Sequence, residues 1–333
     1  MPTASIIVPA FNVERTLADT LSALQAQTFD DFEVIIVNDG SSDRTLEIAA
    51  GFVKDGNIRV VTQPNRGLAG ARNTGIAAAR GDFIGFCDAD DLWLPGKLAA
   101  HIRHLRENPA VGISFSGSDF INDDGCLTGQ AQRPRLTGID AAHVFKRNPV
   151  GNGSAAVLRR DVLDEIAFRP PEEDGRDWYF DERFRQSEDI ECWLRIALTT
   201  RWRFEGIPGL LTQYRINAGG LSSATDRQFA AWERMVEKLA PLAPDFFRTH
   251  TQAARAYQLR FLSRRAVADL DGAHARKLSK EWLACSYRPL WEEPLKSAVT
   301  LAAAHVLWLC GEKPVLGMMT LVSSRRQNAR VAS

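Results

Sequence analysis

Three carboxylates in four residues, Asp88-Ala-Asp90-Asp91, close the run Asp82-Phe-Ile-Gly-Phe-Cys87. A strand ending in clustered carboxylates sets hard oxygen ligands at the carboxyl edge of a sheet, where open α/β sheets bind their ligands. Such oxygens suit magnesium or manganese, ions that commonly bridge a few carboxylates to a diphosphate. The chemistry expected is a metal-assisted reaction of a phosphorylated or nucleotide-activated substrate.

Two further stretches end apolar runs in the same way, Pro9-Ala-Phe11-Asn12 and Asn38-Asp39-Gly40. Asp39 can accept hydrogen bonds from a base imino group or ribose hydroxyls, and Phe11 offers a face for a base to stack on. Asp88 could reach a ribose and Asp90 a metal. Singly, each has a plain structural reading: a turn, a core aromatic, a solvated acidic cluster. The functional reading rests on their meeting at one sheet edge. Gly67-Leu-Ala-Gly70-Ala-Arg72-Asn73-Thr-Gly75 opens a helix whose amides, with Arg72, could serve a phosphate. It lacks the GxGxxG spacing of dinucleotide binders, so its glycines are read as close packing and Arg72 as functional. Glu188-Asp189 begins a helix, where the dipole stabilises carboxylates for structure alone but would also keep a general base ionised. His101 and His104, spaced i, i+3 with no companion ligand, are read as helix surface.

The elements that must position these residues follow from periodicity. Up to about residue 116, strands at Ser5–Val8, Phe32–Val37, Asn57–Thr62, Phe83–Cys87 and Val111–Phe115 alternate with amphipathic helices. One helix carries Leu17, Leu21 and Leu24 on a single face. Short connections between such repeats imply right-handed crossovers and an α/β fold with a mostly parallel, doubly wound (Rossmann-like) sheet. Beyond that point, residues 117–137 are expected to form a polar surface loop, 154–158 a strand, and 169–186 a mobile loop too charged to be buried. From Asp226 the pattern is helical, punctuated by prolines, and a boundary is placed near residue 225.

Composition narrows the class. Among 333 residues, 41 Lys and Arg balance 41 Asp and Glu, so no overall field recruits nucleic acid. Five scattered cysteines without zinc or redox spacing suit a reduced, cytoplasmic chain, and no basic, apolar leader precedes Ser5, so no secretion signal is expected. The 13 residues of Ala298–Cys310 fall short of the ~20 needed to span a bilayer, so a soluble chain is expected. That stretch, with 315–322 and then Arg325, Arg326 and Arg330, is read first as helices packing on the catalytic domain or a second copy. The alternative is a basic-ended apolar hairpin at the inner face of an anionic membrane.

Taken in order, Ser5-Ile-Ile-Val-Pro-Ala-Phe-Asn12, Val37-Asn-Asp-Gly-Ser-Ser-Asp43, Ala71-Arg-Asn-Thr-Gly75, Asp88-Ala-Asp-Asp91 and Ser187-Glu-Asp189 before Trp193-Leu-Arg195 resemble glycosyltransferase family 2. These are inverting transferases with a GT-A fold, and the resemblance covers roughly residues 3–220. It implies a GT-A domain over 1–225, with a nucleotide-binding half (1–116) and an acceptor-side half (117–225), followed by a helical region over 226–333. It implies that Pro9, Phe11 and Asp39 hold the nucleotide, usually uridine, that Arg72 lies near it and that Asp88 contacts the ribose. Asp90 would bind Mn2+ or Mg2+ on the diphosphate, and Asp189 would be the base with Glu188 as second choice. Arg215, in Tyr214-Arg215, would lie near the diphosphate, although Asn217 stands where members often carry histidine. The partners implied are a nucleotide-sugar donor and a glycan or lipid-linked acceptor, as in polysaccharide synthesis at the cell surface. Two other classes stay open: a non-catalytic nucleotide-sugar-binding subunit of an assembly complex, and a phosphatase using Asp-x-Asp.

Overall fold

Ala4–Ala10 (β1) and Phe32–Asn38 (β2) are buried along their whole length, as strands covered by helices on both faces must be. The computed structural model describes residues 1–53, 56–171, 175–216 and 225–317. The other strands are Ile58–Thr62 (β3), Phe83–Phe86 (β4), Leu92–Trp93 (β5), Val111–Ile121 (β6), Leu127–Gln132 (β7), Ala156–Arg159 (β8) and Arg203–Arg215 (β9). They form one sheet in the order β3-β2-β1-β4-β8-β6-β9-β5, with β7 added on β6. β1, β2, β3 and β4 pair in parallel, β8 inserts antiparallel between β4 and β6, and β6 runs parallel to β9. The mostly parallel α/β sheet expected from the sequence is present.

Chain order reverses at β1, whose neighbours are β2 and β4. A crevice at the carboxyl ends of the strands opens at such a switch point. Phe11 follows β1, Asp39 follows β2 and Asp88 follows β4, so the register brings all three to one edge.

Helices Leu17–Gln25 (α1), Thr45–Phe52 (α2), Gly67–Ala78 (α3) and Lys97–Glu107 (α4) alternate with these strands. α1 buries Leu17, Leu21 and Leu24, the face its periodicity marks out. α3 lies so close to β1 that a Cβ on Gly75 would meet Ile7 Cγ2. Beyond them come Ala141–Lys146 (α5), Arg160–Ile166 (α6) and Glu188–Thr199 (α7).

The structure corrects three expectations. Residues 117–137 are not a loop: β6 continues to Ile121 and turns into β7. Polar residues such as Ser118 look loop-like in sequence, yet Ser118 is buried within the strand, like Ser114 and Ser116 before it. The 169–186 stretch is not too charged to be buried over its described part. Trp178, Tyr179, Phe180, Asp181, Glu182 and Phe184 are all buried, because Glu182 finds Arg66, Asn73 and Arg176 as partners. His101 is fully buried rather than on a helix surface, with Nδ1 2.7 Å from Ser114 Oγ. Beside it the buried Lys97 ammonium donates to the Ala155 carbonyl at 3.0 Å and lies 4.9 Å from the centre of the Trp93 ring.

The chain divides into two compact units, Met1–Val144 with Asn148–Ala218, and Phe145–Arg147 with Gly219–Ser333. The second is helical, with Thr225–Leu239 (α8), Pro244–Ala268 (α9), Gly272–Cys285 (α10), Arg288–Glu292 (α11) and Pro294–Cys310 (α12). Leu259, Leu262, Leu278, Trp282 and Leu307 anchor its core. Phe145 stacks on Trp232 at 5.5 Å within that unit. No helix among the described residues is long and apolar enough to cross a membrane. Asn217, Arg325, Arg326, Arg330 and most of 315–322 lie outside the described residues.

Contrasting glycine substitutions test the α3–β1 packing. Gly75→Ala gains helix propensity but overpacks Ile7, and a net loss of about 1 kcal/mol or more is expected. Gly51→Ala in α2, where nothing lies within 4 Å of the new methyl, is expected to stabilise by about 0.5–1 kcal/mol. Urea denaturation measures both, and a stabilising Gly75→Ala would reject the close approach.

Candidate active site

Arg72, on α3, is 2% exposed and points into the space between the end of β4 and the start of α7. Its Nη2 donates to Asp88 Oδ1 at 2.9 Å and its Nη1 to Glu188 Oε1 at 2.8 Å. The guanidinium carbon lies 5.7 Å from the centre of the Phe86 ring and 5.4 Å from that of Phe180. A side chain on Gly153 would strike Arg72 Nη2, so only glycine fits there without displacement. Burial works against the charge on Arg72, but Asp88, Glu188 and Asp189 more than offset it and hold the guanidinium protonated.

The Asp88–Asp91 turn is braced from several sides. Thr16 Oγ1 donates to the Ala89 carbonyl at 2.8 Å and Thr20 Oγ1, on α1, to that of Asp91 at 2.9 Å. Ser154 Oγ accepts from Asp88 N at 2.9 Å and donates to Asp91 Oδ2 at 2.6 Å. Asp91 Oδ1 accepts from Arg215 N at 3.0 Å. Burial, with Asp90 and Asp88 beside it, pushes the Asp91 carboxyl well above the usual carboxylate range. Asp91 is thus an internal strut, while Asp88 and Asp90 remain partly accessible. Arg215 is buried: its Nε donates to the Asp90 carbonyl at 2.9 Å, and Nη1 to those of Asn122 and Asp123 at 2.8 and 2.7 Å. Those contacts hold the backbone under Asp90.

Asp39 is buried, with Oδ1 accepting from Gln63 Nε2 at 2.6 Å and Arg66 N at 2.8 Å, and Oδ2 from Gly67 N at 2.8 Å. It closes the turn into α3, and a carboxylate so bonded still has acceptor lone pairs to offer. Pro9 is buried within β1, whereas Phe11 is 48% exposed at its end. Asn12 follows at φ 52°, its Oδ1 accepting from Ser42 N at 2.9 Å.

Across the site, Ser187 adopts φ 60° and ψ 24°, a left-handed conformation that costs a non-glycine residue about 1–2 kcal/mol. It turns the chain so that Glu188 and Asp189 begin α7. Glu188 is buried against Arg72, whereas Asp189 is partly exposed and accepts from Asn148 Nδ2 at 3.1 Å. Burial pushes the Glu188 carboxyl up to about 7, with Arg72 opposing and Asp189 adding to the shift. Burial also raises Asp189, and Arg72 again opposes it.

One guanidinium therefore links the Asp88 and Glu188-Asp189 motifs, while Phe11 and Asp39 stand at the neighbouring strand ends. Sequence reasoning missed Asn148 and Ser154, which sit in a stretch, Asn-Pro-Val-Gly-Asn-Gly-Ser, that resembles any turn. Ser154→Ala would leave the Asp88 amide and a buried carboxyl oxygen of Asp91 without this partner. A loss of about 2 kcal/mol or more is expected in urea denaturation. An unchanged midpoint would show that Ser154 does not brace the turn.

Comparison with known proteins meets this geometry. The family model for glycosyl transferase family 2 matches residues 5–167. WfaP of Escherichia coli, a UDP-Glc:alpha-D-GlcNAc-diphosphoundecaprenol beta-1,3-glucosyltransferase, is 30% identical over 224 residues, 67% of this chain and 81% of WfaP. Two further bacterial glycosyltransferases are aligned over only 27% and 52% of their own length. Among solved structures, residues 1–349 of Staphylococcus aureus TarS in complex with UDP-GlcNAc superpose with a TM-score of 0.60 at 18% identity, covering 92% of this chain and 91% of that one. The mannosyltransferase PcManGT of Pyrobaculum calidifontis, in complex with GDP-Man and Mn2+, gives 0.56 at 20% identity over 93% and 88%. Both carry the GT-A type of fold found here, and by family model and relative alike this chain belongs to glycosyl transferase family 2.

Proposed function

We propose that the chain transfers a sugar, with inversion, from a nucleotide-diphosphate sugar to a hydroxyl of a glycan or lipid-linked acceptor. The observation that carries this is the Arg72 bridge, which holds a donor-side carboxylate (Asp88) and a base-side pair (Glu188-Asp189) on one cation. A UDP-sugar donor is supported by the UDP-Glc-dependent activity of WfaP and by the UDP-GlcNAc bound to TarS. WfaP's diphosphoundecaprenol substrate supports a lipid-linked acceptor and a place in cell-surface polysaccharide synthesis.

Phe11 would stack on the base, with Pro9 shaping the edge behind it and Asp39 accepting from the base or ribose. Asp88 would take ribose hydroxyls with the oxygen that Arg72 leaves open. Asp90 would hold a divalent cation. The donors at this turn are carboxylate oxygens of Asp88 and Asp90, both partly exposed. Such donors fit magnesium or manganese bound by one or two carboxylates and completed by substrate phosphates. Bound there, the ion would offset charge developing on the departing diphosphate. Arg215 would act on the diphosphate through the Asp90 backbone it supports.

Asp189 is the better base. Glu188 spends an oxygen on Arg72 and is raised into the neutral range, which makes it the counter-charge. Asp189 would accept the acceptor hydroxyl proton as that oxygen bonds to the anomeric carbon and the bond to the diphosphate oxygen breaks. The segment 175–186, packed on α3 through Glu182, would form a fixed wall beside the donor.

Asp189→Asn is expected to lower kcat by about 10²–10⁴-fold with donor affinity retained. Asp90→Ala should abolish the dependence of UDP affinity on Mn2+ in calorimetry. Wild-type behaviour in both variants would refute these roles. The pH profile follows from the shifts. Activity requires ionised Asp189, whose folded pKa is raised by burial and restrained by Arg72, so it is lost as pH falls through that raised value. Arg72→Met removes the restraint, and the acid limb of kcat/KM should move to higher pH, with Arg72→Lys moving it less. An unmoved limb would separate Arg72 from the base.

A further inference from the structure

α12 carries apolar side chains on its exposed side as well as on the side it buries. The positions it buries in the second unit include Ser297 and Thr300 as well as Ala304 and Leu307. Ser297 is tied inward by donating to the Pro289 carbonyl at 2.6 Å and accepting from Arg260 Nη1. Leu301, Val306 and Leu307 pack inward as well, while other large apolar side chains face outward. Trp291 is 84% exposed, Leu295 76% and Val299 59%, spaced four residues apart across the α11–α12 junction. Leu295 and Val299, four apart on α12, share one helical face, and Trp291 is exposed on α11 just before it, so the exposed apolar residues cluster at this junction. Tyr287 and Leu309, also exposed, lie before and after it in sequence.

Charge separates the two parts of the chain as well. The balanced total conceals 17 Lys and Arg against 10 Asp and Glu in residues 226–333, an excess of seven positive charges that the preceding residues cancel. Arg288 precedes Trp291 by one helical turn and Lys296 adjoins Leu295, and both are exposed. An outward cluster of tryptophan and aliphatic residues beside basic side chains, on a positively charged unit, is the composition of a helix lying in an anionic lipid interface.

We infer that the α11–α12 face docks on the surface of an anionic phospholipid bilayer, with Trp291, Leu295 and Val299 entering the headgroup–acyl boundary and Arg288 and Lys296 meeting lipid phosphates. The helix lies on the membrane and does not cross it, in keeping with its 17-residue length. The inference stands on the second unit alone and holds whether or not the transfer reaction above is correct.

The test is flotation of the full chain with phosphatidylcholine vesicles, with and without phosphatidylglycerol, comparing wild type with Trp291→Glu/Leu295→Glu. Wild type is expected to float only with the phosphatidylglycerol vesicles, less so in high salt, and the double variant to bind at least about ten-fold more weakly. Because both side chains are exposed, the variant should keep its melting temperature and its UDP affinity. Equal flotation of the two proteins, or wild type that ignores phosphatidylglycerol, overturns the inference. So does light scattering that shows a wild-type dimer lost in the variant while neither protein binds vesicles, since the cluster would then be covered by a second copy.

Discussion

A buried guanidinium must be neutralised where it sits, and this constraint organises the catalytic unit. Taking a charge of that size out of water costs several kcal/mol, recovered only with close, well-oriented partners. Arg72 finds Asp88 sixteen positions away and Glu188 one hundred and sixteen positions away. The ends of β4 and the start of α7 are thereby fixed to the same helix, and the aromatic rings of Phe86 and Phe180 close over the cation. Deleting one partner of such a cluster typically costs about 3–5 kcal/mol, because the other is left buried and charged. The same interaction is structural and electrostatic at once. It holds the chain in place, and it sets the field in which the carboxylates titrate.

Burial and neighbouring groups divide the labour among five nearby acids. Asp91, fully enclosed between Ser154 and the Arg215 amide, is pushed up by burial and serves the turn's shape. Glu188 is pushed toward neutrality and answers Arg72. Asp88, Asp90 and Asp189 keep some access to solvent, and these are the groups a substrate can meet. Environments that drive like groups apart are how one site obtains distinct roles from one functional group. The left-handed Ser187 and Asn12, on opposite sides of the site, show local backbone cost accepted where side chains must be aimed.

Much of this was legible in the sequence, for definite reasons. Strands buried on both faces leave continuous apolar runs, and Ile6-Ile7-Val8 and Val34-Ile35-Ile36-Val37 could hardly be read otherwise. Parallel crossovers then force the residues after those runs to one edge, which is why Phe11, Asp39 and Asp88 could be grouped without coordinates. What escaped was burial of polar side chains by partners distant in sequence. Charge on Glu182 suggested solvent, because nothing local reveals that Arg66, capping α3, and Asn73 on α3 wait for it. His101 looked like surface because Ser114 becomes its neighbour only when α4 packs on β6. Position suggests Arg215 for the diphosphate, but only the fold reveals that its Nε and Nη1 donate to the carbonyls of Asp90, Asn122 and Asp123.

The helical unit follows another logic, in which polar residues such as Arg260, Ser297 and Glu293 are drawn inward and pair there, leaving apolar surface outside. For the catalytic unit, the decisive measurement is a double-mutant cycle on unfolding free energy with Arg72→Met and Glu188→Gln. If Arg72 and Glu188 neutralise one another, the double variant should be destabilised by about 2 kcal/mol less than the sum of the single variants. Additivity within about 0.5 kcal/mol would contradict the bridge and the site built on it.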